Sequence, residues 1–581
     1  MKTNRLINNQ HFINSLVFVI FTFAGVGLTH FINNSEKEVI SAYGKANTMC
    51  SSSTRFDIDF ECALYPVAPL LKTNWTNNMN ITASDEAKVF FNQGLFFLYG
   101  FNHAEAERAF KEGIRLDNDC AMCYWGAALS LGPNINVPMP ESQWKDAFDY
   151  SRKALDRIDH VSDKEKALIH ALTYRYHEEP IEDRSQLDID YSNEMKYVSS
   201  RYREDLDIAT LYAESLMDLM PWDYWQEDDS PKPATREIQT LLDYVLEKDE
   251  DHPGANHYYI HLAEAVHPEI AVPHADKLTE MAYPSGHLVH MPSHIYIRVG
   301  RYNDASVANV NAMQIDEEYI ERCNAQGVYP ALYYPHNIHF LWFAASMEGR
   351  SKVALDAARK LDKKVPYGMV AQVPLIERFK SISIFTLLRF GMWDEVLNEP
   401  KPDPHFKYSQ AMWHYARGMA LAKTGDSQKA QTELNQLKKL SKDENLIAVD
   451  NPQFPTVGIS EVAINVLTAE LEGQKEDIDK KIESLHKAVA AQEGLIYMEP
   501  PFFYYPVKQS LGAALIEGGL YNEAEKVFRD DLTDFPANGW SLKGLQQSLE
   551  KQGNTDEAKK VGKEFEAAWS ESDVEIISSI F

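Results

Sequence analysis

Positively charged residues are scarce in this sequence relative to acidic ones. The 581 residues include 57 Lys and Arg against 86 Asp and Glu, which gives a formal net charge of -29. A charge of this sign repels phosphate backbones, so we expect no nucleic-acid partner. The acidity itself is typical of a well-solvated surface.

Several motifs of common enzyme classes are absent as well. The chain has no glycine-rich phosphate-binding loop, no serine-nucleophile motif and no His-Glu-x-x-His zinc motif. It also has no segment of any length with a two-residue hydrophobic period, which favours an all-α class. Because 581 residues are too many for one compact core, we expect several domains or a long repeat array.

Only one long apolar run is present, between residues 12 and 32, and Lys2 and Arg5 precede it. A basic start followed by such a run is typical of a secretory signal or an N-terminal membrane anchor. We therefore predict that residues 1–35 form such a segment and make the only membrane contact. The remainder is expected outside the cytoplasm, in the periplasm or at the cell surface.

Cysteines are few, and two of the five form a C-x-x-C sequence, Cys120 and Cys123. Tyr124 follows this pair where covalent haem attachment requires a histidine, and no second C-x-x-C completes a four-cysteine zinc site. A small structural disulfide is the favoured interpretation, with redox activity and metal binding as alternatives. Cys50 and Cys62 are a second candidate pair.

The chain does contain a repeat with a period of about 34 residues. Small and aromatic residues recur at the same offsets in two segments: Gly94, Ala106 and Phe110 in the first, and Gly512, Ala524 and Phe528 in the second. Small residues let two helices approach closely, while large apolar residues fill the gap to the next pair. Gly300, Gly349 and Gly519 are placed to supply a left-handed turn between helices.

This pattern resembles the tetratricopeptide repeat, a helix-turn-helix unit that stacks into a superhelix. The stretches CAMCYWG (120–126), MPWDYW (220–225) and GHLVHMPSHIYIRVGRY (286–302) are similar to a group of exported bacterial tetratricopeptide proteins. The resemblance covers most of residues 84–565. It implies an all-α superhelix, or α-solenoid, and export, but no particular reaction.

The repeats give a domain plan. After an irregular leader at 36–83, we predict N-terminal repeats with insertions at 84–245 and histidine-rich central repeats at 246–365. C-terminal repeats with a capping helix follow at 366–581. The polar stretches 176–200, 226–236 and 440–460 are predicted loops or insertions.

Histidines supply the main candidate site. Six of the 19 form pairs at helical spacing: His257 with His261, His290 with His294, and His336 with His339. The first two pairs are 33 residues apart, close to one repeat. We therefore predict that the pairs lie on the first helices of three successive units and converge on one ion in the concave groove. His287 and Glu264 are spare ligands.

Imidazole nitrogens suit Zn, Cu, Fe or Ni. Three-histidine sites with an open fourth position polarise water. The alternative is that these histidines only bond a ligand or a neighbouring helix. Asp223, between aromatic residues, and Glu499, ahead of two prolines, are candidate acids. A helix cap and core packing are the alternatives for these two regions.

The sequence thus predicts an exported or membrane-anchored tetratricopeptide protein. Its concave groove, lined by histidines and aromatic residues, is expected to bind a protein, peptide or small-molecule ligand, either directly or through a metal ion. The alternative is a metal-dependent enzyme of hydrolase or oxidoreductase type with its site in the same groove. The sequence does not decide between an enzyme and a binding protein.

Overall fold

A computed structural model describes residues 68–71, 75, 79–281, 284–323 and 329–581. The chain divides into two units, the first ending at Ala255 and the second spanning Asn256–Phe581. Within the described residues every regular element is helical, and strand-like pairing is limited to three isolated bridges. The predicted all-α class is confirmed.

The first unit is a series of short and medium helices joined by turns. Its helices are α1 (Asp85–Tyr99), α2 (His103–Leu116), α3 (Ala121–Leu129), α4 (Trp144–Leu155), α5 (Asp163–Leu172), α6 (Ser185–Arg201), α7 (Leu206–Asp218) and α8 (Pro233–Lys248). Two 3-10 turns, Glu141–Gln143 and Ile158–His160, precede α4 and α5.

The second unit begins within α9 (Pro253–Ala263). Its first half contains α10 (Val272–Glu280), α11 (Gly286–His290), α12 (Pro292–Arg298), α13 (Tyr302–Cys323), α14 (Tyr334–Met347), α15 (Ser351–Lys364), α16 (Tyr367–Val370), α17 (Ile382–Arg389) and α18 (Trp393–Asn398). A 3-10 turn, Pro268–Ala271, precedes α10, a π-helical turn, Tyr329–Tyr333, precedes α14, and a 3-10 segment, Pro374–Ser381, precedes α17.

The second half of this unit consists mainly of longer helices in pairs. They are α19 (Lys407–Lys423), α20 (Ser427–Leu440), α21 (Glu444–Ile447), α22 (Thr456–Gly473), α23 (Ile478–Glu493), α24 (Lys508–Glu517), α25 (Tyr521–Asp534), α26 (Gly539–Gln552) and α27 (Thr555–Ala568).

The predicted role of small residues between helices is confirmed in the first unit. Helices α1, α2 and α3 pack against one another, with Phe110 of α2 fully buried among them. A Cβ atom at Gly94 would lie 2.7 Å from the phenyl ring, and one at Gly126 would lie 2.4 Å from it. Only glycine leaves room for this ring, whose burial contributes about 1.5–3 kcal/mol.

The same arrangement recurs near the end of the second unit. Phe528 of α25 is fully buried, and a Cβ atom at Gly512 or Gly544 would lie 2.3 or 2.1 Å from its ring. Helices α24 and α26, which carry these glycines, also contact each other. Gly519 adopts φ 76° in the turn between α24 and α25, as predicted. The hairpins are therefore of the tetratricopeptide type.

One predicted loop is in fact largely helical. Residues 176–200 were expected to be irregular, but α6 occupies Ser185–Arg201. Tyr191, Met195 and Val198 are buried on one face of this helix at spacings of three and four residues. Charged and polar side chains between them hide the pattern in the sequence. The predicted insertion at 440–460 also contains helix, because α21 lies inside it and α22 begins at Thr456.

The N-terminal predictions fall outside the described residues. These predictions concern the signal or anchor segment at 1–35, most of the leader and the pair Cys50 and Cys62. In the part of the chain that the structure describes, no helix is both long enough and apolar enough to span a bilayer.

Candidate metal centre

Four helices of the second unit bring the predicted histidines together. His257 and His261 lie on α9, His287 and His290 on α11, His294 on α12 and His336 on α14. All except His336 are buried, with at most 5% of their surface exposed, and His336 is half-buried.

The junction between α11 and α12 keeps two of these rings on one side. Met291, between the two helices, has helical dihedral angles (φ -50°, ψ -38°), so His290 and His294 retain helical i, i+4 spacing. Pro292 is accepted there because the first turn of a helix needs no hydrogen bond from its nitrogen. The two Nε2 atoms face each other at 2.9 Å.

His336 completes a group that we call the first triad, made of His290, His294 and His336. One nitrogen from each ring lies within 4.8 Å of the others, a spacing at which they could share a metal ion. The ring of Phe340 lies 4.5–4.8 Å from all three imidazoles and forms an apolar wall beside them.

A second triad, His257, His261 and His287, lies next to the first. Its nitrogens also fall within 4.8 Å of one another. The His257 ring is 4.8 Å from that of His261 and 5.0 Å from that of His287. The two triads are in ring contact, since His261 and His294 are 5.9 Å apart and His287 and His290 are also 5.9 Å apart.

Glu264 lies between the two triads and engages both. One carboxylate oxygen is 3.0 Å from His261 Nδ1, and the other is 2.9 Å from His294 Nδ1. Glu499 adds a second carboxylate, whose Oε2 accepts from His294 Nδ1 at 2.6 Å. Glu264, His294 and Glu499 form a third group able to hold an ion. A carboxylate behind a histidine fixes the ring and raises its basicity as a metal ligand.

An amide on α13 fixes the proton of His290. Asn309 Nδ2 donates to the backbone oxygen of Ala305 at 2.8 Å, so Asn309 Oδ1 is left to accept from His290 Nδ1 at 2.7 Å. The Nδ1 of His290 therefore carries the hydrogen. In the neutral ring the Nε2 lone pair then points at the first triad, which is the form that binds a metal.

The histidines of the cluster differ in protonation. Burial lowers the pKa of His287, His290 and His336 well below 6.5, so these rings are neutral. Burial also opposes charge on His294, but Glu264 and Glu499 outweigh it and raise the His294 pKa to about 10. Burial would raise the pKa of Glu264, yet His294 and His261 hold it below its usual value. Without a metal, His294 is therefore a cation.

A buried carboxylate positions His287. Tyr329 Oη accepts from the backbone N–H of His287 at 3.0 Å and donates to Asp316 Oδ1 at 2.8 Å. Asn337 donates to the other oxygen of Asp316 at 2.7 Å. Gly286 is required beside this carboxylate, because a Cβ there would lie 2.0 Å from Asp316 Oδ1. Burial raises the pKa of Asp316 to about 7.

The histidines are enclosed by other parts of the unit, whereas we had expected them to line an open groove. The segment with Tyr497 and Glu499 covers α9 and α12, with the Tyr497 hydroxyl 3.2 Å from the backbone oxygen of Glu264. Tyr333, in the π-helical turn, packs 4.7 Å from the His287 ring. The groove itself stays a prediction.

Two other predicted residues are not members of either triad. His339 points away from its pair member and stacks on Trp342 at 5.1 Å. Asp223, in the first unit, is half-exposed and forms an ion pair with Lys232, so it lacks the apolar setting that we expected.

The C-x-x-C cysteines form a bond in the structure. Cys120 and Cys123 are joined as a disulfide at the start of α3. The Cys120 sulfur also accepts from the backbone N–H of Cys123 at 3.1 Å.

Sequence reasoning missed Asn309, Tyr497 and Asp316 as parts of the site. Asn309 lies 19 residues after the histidine that it contacts, and no motif marks it. A buried-face pattern on α13 would have been the only signal for Asn309 and Asp316, which are both fully buried.

Comparisons with known proteins identify no family. No protein-family model matches the sequence, and no curated protein matches it. Solved structures with similarity include APC/C Cut9-Hcn1, at 14% identity over 85% of this chain and 88% of that chain, with a TM-score of 0.27. Yeast Tom70 has 13% identity over 83% and 92%, with a TM-score of 0.26.

The tetratricopeptide domain of P58(IPK) has 11% identity over 81% of this chain and 99% of that chain, with a TM-score of 0.22. Such low scores carry no argument about function. The assignment of tetratricopeptide-type hairpins rests on the helix packing described above.

Proposed function

We propose that this chain is a helical-repeat protein that binds a first-row transition metal through His290, His294 and His336. The observation that carries the proposal is the 2.9 Å approach of the His290 and His294 Nε2 atoms. Their Nδ1 atoms are both engaged, by Asn309 and by Glu264 with Glu499 respectively. Two rings held from behind, with their other nitrogens facing one point, match the usual support of a metal site.

The donor set restricts the ion. Imidazole nitrogens suit Zn, Cu, Fe or Ni and disfavour Mg and Ca, which prefer oxygen. Binding requires neutral imidazoles, so the ion must displace the proton of His294. The charge of a divalent cation is then balanced by Glu264 and Glu499, which lie behind the same ring.

The test compares the metal content and thermal stability of wild type with those of one double variant and one single control variant. His290→Gln with His336→Gln removes two ligands while keeping polar side chains. The control is His405→Gln, because His405 is 85% exposed and pairs only with Asp403. We expect wild type and the control to purify with metal. If they do not, their free energy of unfolding should rise by about 4 kcal/mol at a free metal concentration 1,000-fold above Kd. The double variant should bind less metal than wild type and gain correspondingly less stability.

The proposal fails if wild type carries no metal and its melting temperature does not change with added Zn²⁺, Cu²⁺, Fe²⁺ or Ni²⁺. It also fails if the double variant binds as much metal as wild type with the same affinity, because the ligands would then lie elsewhere.

A metal-dependent enzyme is the second candidate. Three protein nitrogens leave a fourth coordination position for water or substrate, and His336 is the half-exposed member of the first triad. Glu499 and the Tyr497 hydroxyl that it accepts from lie behind His294, on its Nδ1 side, where they would orient this ligand. Ester and phosphoester hydrolysis and oxygen consumption should be measured with metal-loaded wild type. Turnover that His336→Gln abolishes would support an enzyme, and its absence would leave a binding protein.

We also propose that the chain acts outside the cytoplasm, anchored or secreted through residues 1–35, and binds a protein, peptide or small molecule in its repeats. The support is the basic start and apolar run at 12–32. Fractionation of cells that express the full chain should place it with membranes or outside the cytoplasm. Recovery in the soluble cytosol would contradict this.

A further inference from the structure

We propose that the second triad, His257, His261 and His287, binds a second metal ion, so that the protein holds a two-metal centre in which Glu264 supports one ligand of each ion. This inference rests on the proposed function, because it extends the same cluster. It differs in stoichiometry, since the proposed function requires only one ion at the first triad.

The second triad is built like a ligand set. His257 and His261 project from one face of α9 at i, i+4 spacing, and His287 of α11 faces them. Glu264 Oε1 holds His261 Nδ1 at 3.0 Å, which leaves the Nε2 of His261 to face the other two rings. All three residues are at most 2% exposed. Three buried imidazoles in mutual contact are costly to hold as cations and well suited to a divalent ion.

The number of rings requires two ions. Zn²⁺ and similar ions take about four ligands at ~2.0–2.1 Å from nitrogen. The six imidazoles exceed this number, and they divide into two groups of three whose nitrogens lie within 4.8 Å inside each group.

Glu264 gives the two groups a common support. Its two oxygens reach one histidine of each triad, at 3.0 Å for His261 and 2.9 Å for His294. Its single negative charge lies behind one ligand of each triad and offsets part of the repulsion of two neighbouring cations. Glu499 contributes a further negative charge on the side of the first triad.

The test is the stoichiometry of Zn²⁺ bound to the full chain, measured by equilibrium dialysis with elemental analysis. Wild type and the control His405→Gln should each bind two ions. His257→Gln with His261→Gln should bind one ion, and His290→Gln with His336→Gln should also bind one. Far-UV circular dichroism reports whether each variant folds.

Each alternative outcome has a separate meaning. A wild-type stoichiometry of one, lost only in His290→Gln with His336→Gln, overturns the second ion and leaves the proposed function intact. A single ion lost in both double variants indicates one shared site and also overturns the two-metal centre. No binding by wild type overturns the proposed function itself.

A measurement on wild type keeps the inference testable if a variant fails to fold. Stepwise addition of Cu²⁺ should give a sharp electron paramagnetic resonance spectrum at low occupancy. The spectrum should broaden as the second ion binds, because the triads are in ring contact at 5.9 Å. A spectrum that stays sharp and saturates at one ion would contradict the proposal.

Discussion

Replacing Glu264 by Gln tests the support of both triads at once. The carboxylate accepts from His261 and forms an ion pair with His294, and it is fully buried. A Gln side chain has one oxygen and one NH₂ group, so one of the two histidines must face a donor. If that ring is His261, its hydrogen must move to Nε2, which removes its lone pair from the triad. If it is His294, the ring keeps only Glu499 behind it. We therefore expect the metal affinity to fall about 10–100-fold.

The metal-free protein should also lose stability. Removing one partner of a buried charged pair costs roughly 3–5 kcal/mol, because His294 is left with less compensation. Taking about 3 kcal/mol, amide hydrogen exchange in α9 and α12 should become roughly 100-fold faster when reclosing is rapid. Mass spectrometry of the exchanged peptides measures this in chelator-treated protein.

Glu433→Gln is the matched control for this change. Glu433 pairs with His414 at 2.5 Å, but its side chain is 15% exposed and lies outside the triads. We expect Glu433→Gln to lower the free energy of unfolding by about 1 kcal/mol or less and to leave the metal affinity unchanged. If Glu264→Gln behaves like Glu433→Gln in both measurements, Glu264 does not support a metal centre and the reasoning is wrong.

Three further predictions concern pH, packing and redox state. Burial keeps several histidines neutral, so without metal the free energy of unfolding should fall as pH drops below about 6.5, by up to ~1.4 kcal/mol per pH unit for each such histidine. His294 contributes to the free energy of unfolding with the opposite pH dependence, and this contribution should be lost as pH rises through about 10. A stability that does not change from pH 5 to 7 would contradict the prediction for the neutral histidines. Gly286→Ala should lower the melting temperature at a cost of about 1–3 kcal/mol, because the new methyl group overlaps Asp316, and an unchanged melting temperature would refute that contact. Cys120 and Cys123 should resist thiol labelling until a reductant is added, and full labelling of the native protein would show that they are not bonded.

The fold was predictable because its signal is local. The offsets between Gly94 and Phe110 and between Gly512 and Phe528 record a close helix contact directly in the sequence. Helix α6 was missed because only Tyr191, Met195 and Val198 form its buried apolar face. The charged and polar residues between them hide the helical period in the sequence.

The candidate site was predictable only in part. The recurrence of His257 and His261 as His290 and His294 follows the repeat, which is why spacing alone grouped them. Contacts between residues far apart in the sequence leave no spacing pattern. The contact of Glu499 with His294 is an example, because the two residues are 205 positions apart. The structure places His336 but not His339 in the first triad, because residues three positions apart still differ in direction around a helix.

The X-ray absorption spectrum of the zinc-loaded protein tests the central claim most directly. We predict a first shell at ~2.0–2.1 Å dominated by nitrogen, with the outer-shell scattering of about three imidazole rings per zinc. The same spectrum from His290→Gln with His336→Gln should lose the part that arises from the first triad. A sulfur shell, or an oxygen shell without imidazole scattering, would contradict a histidine metal centre.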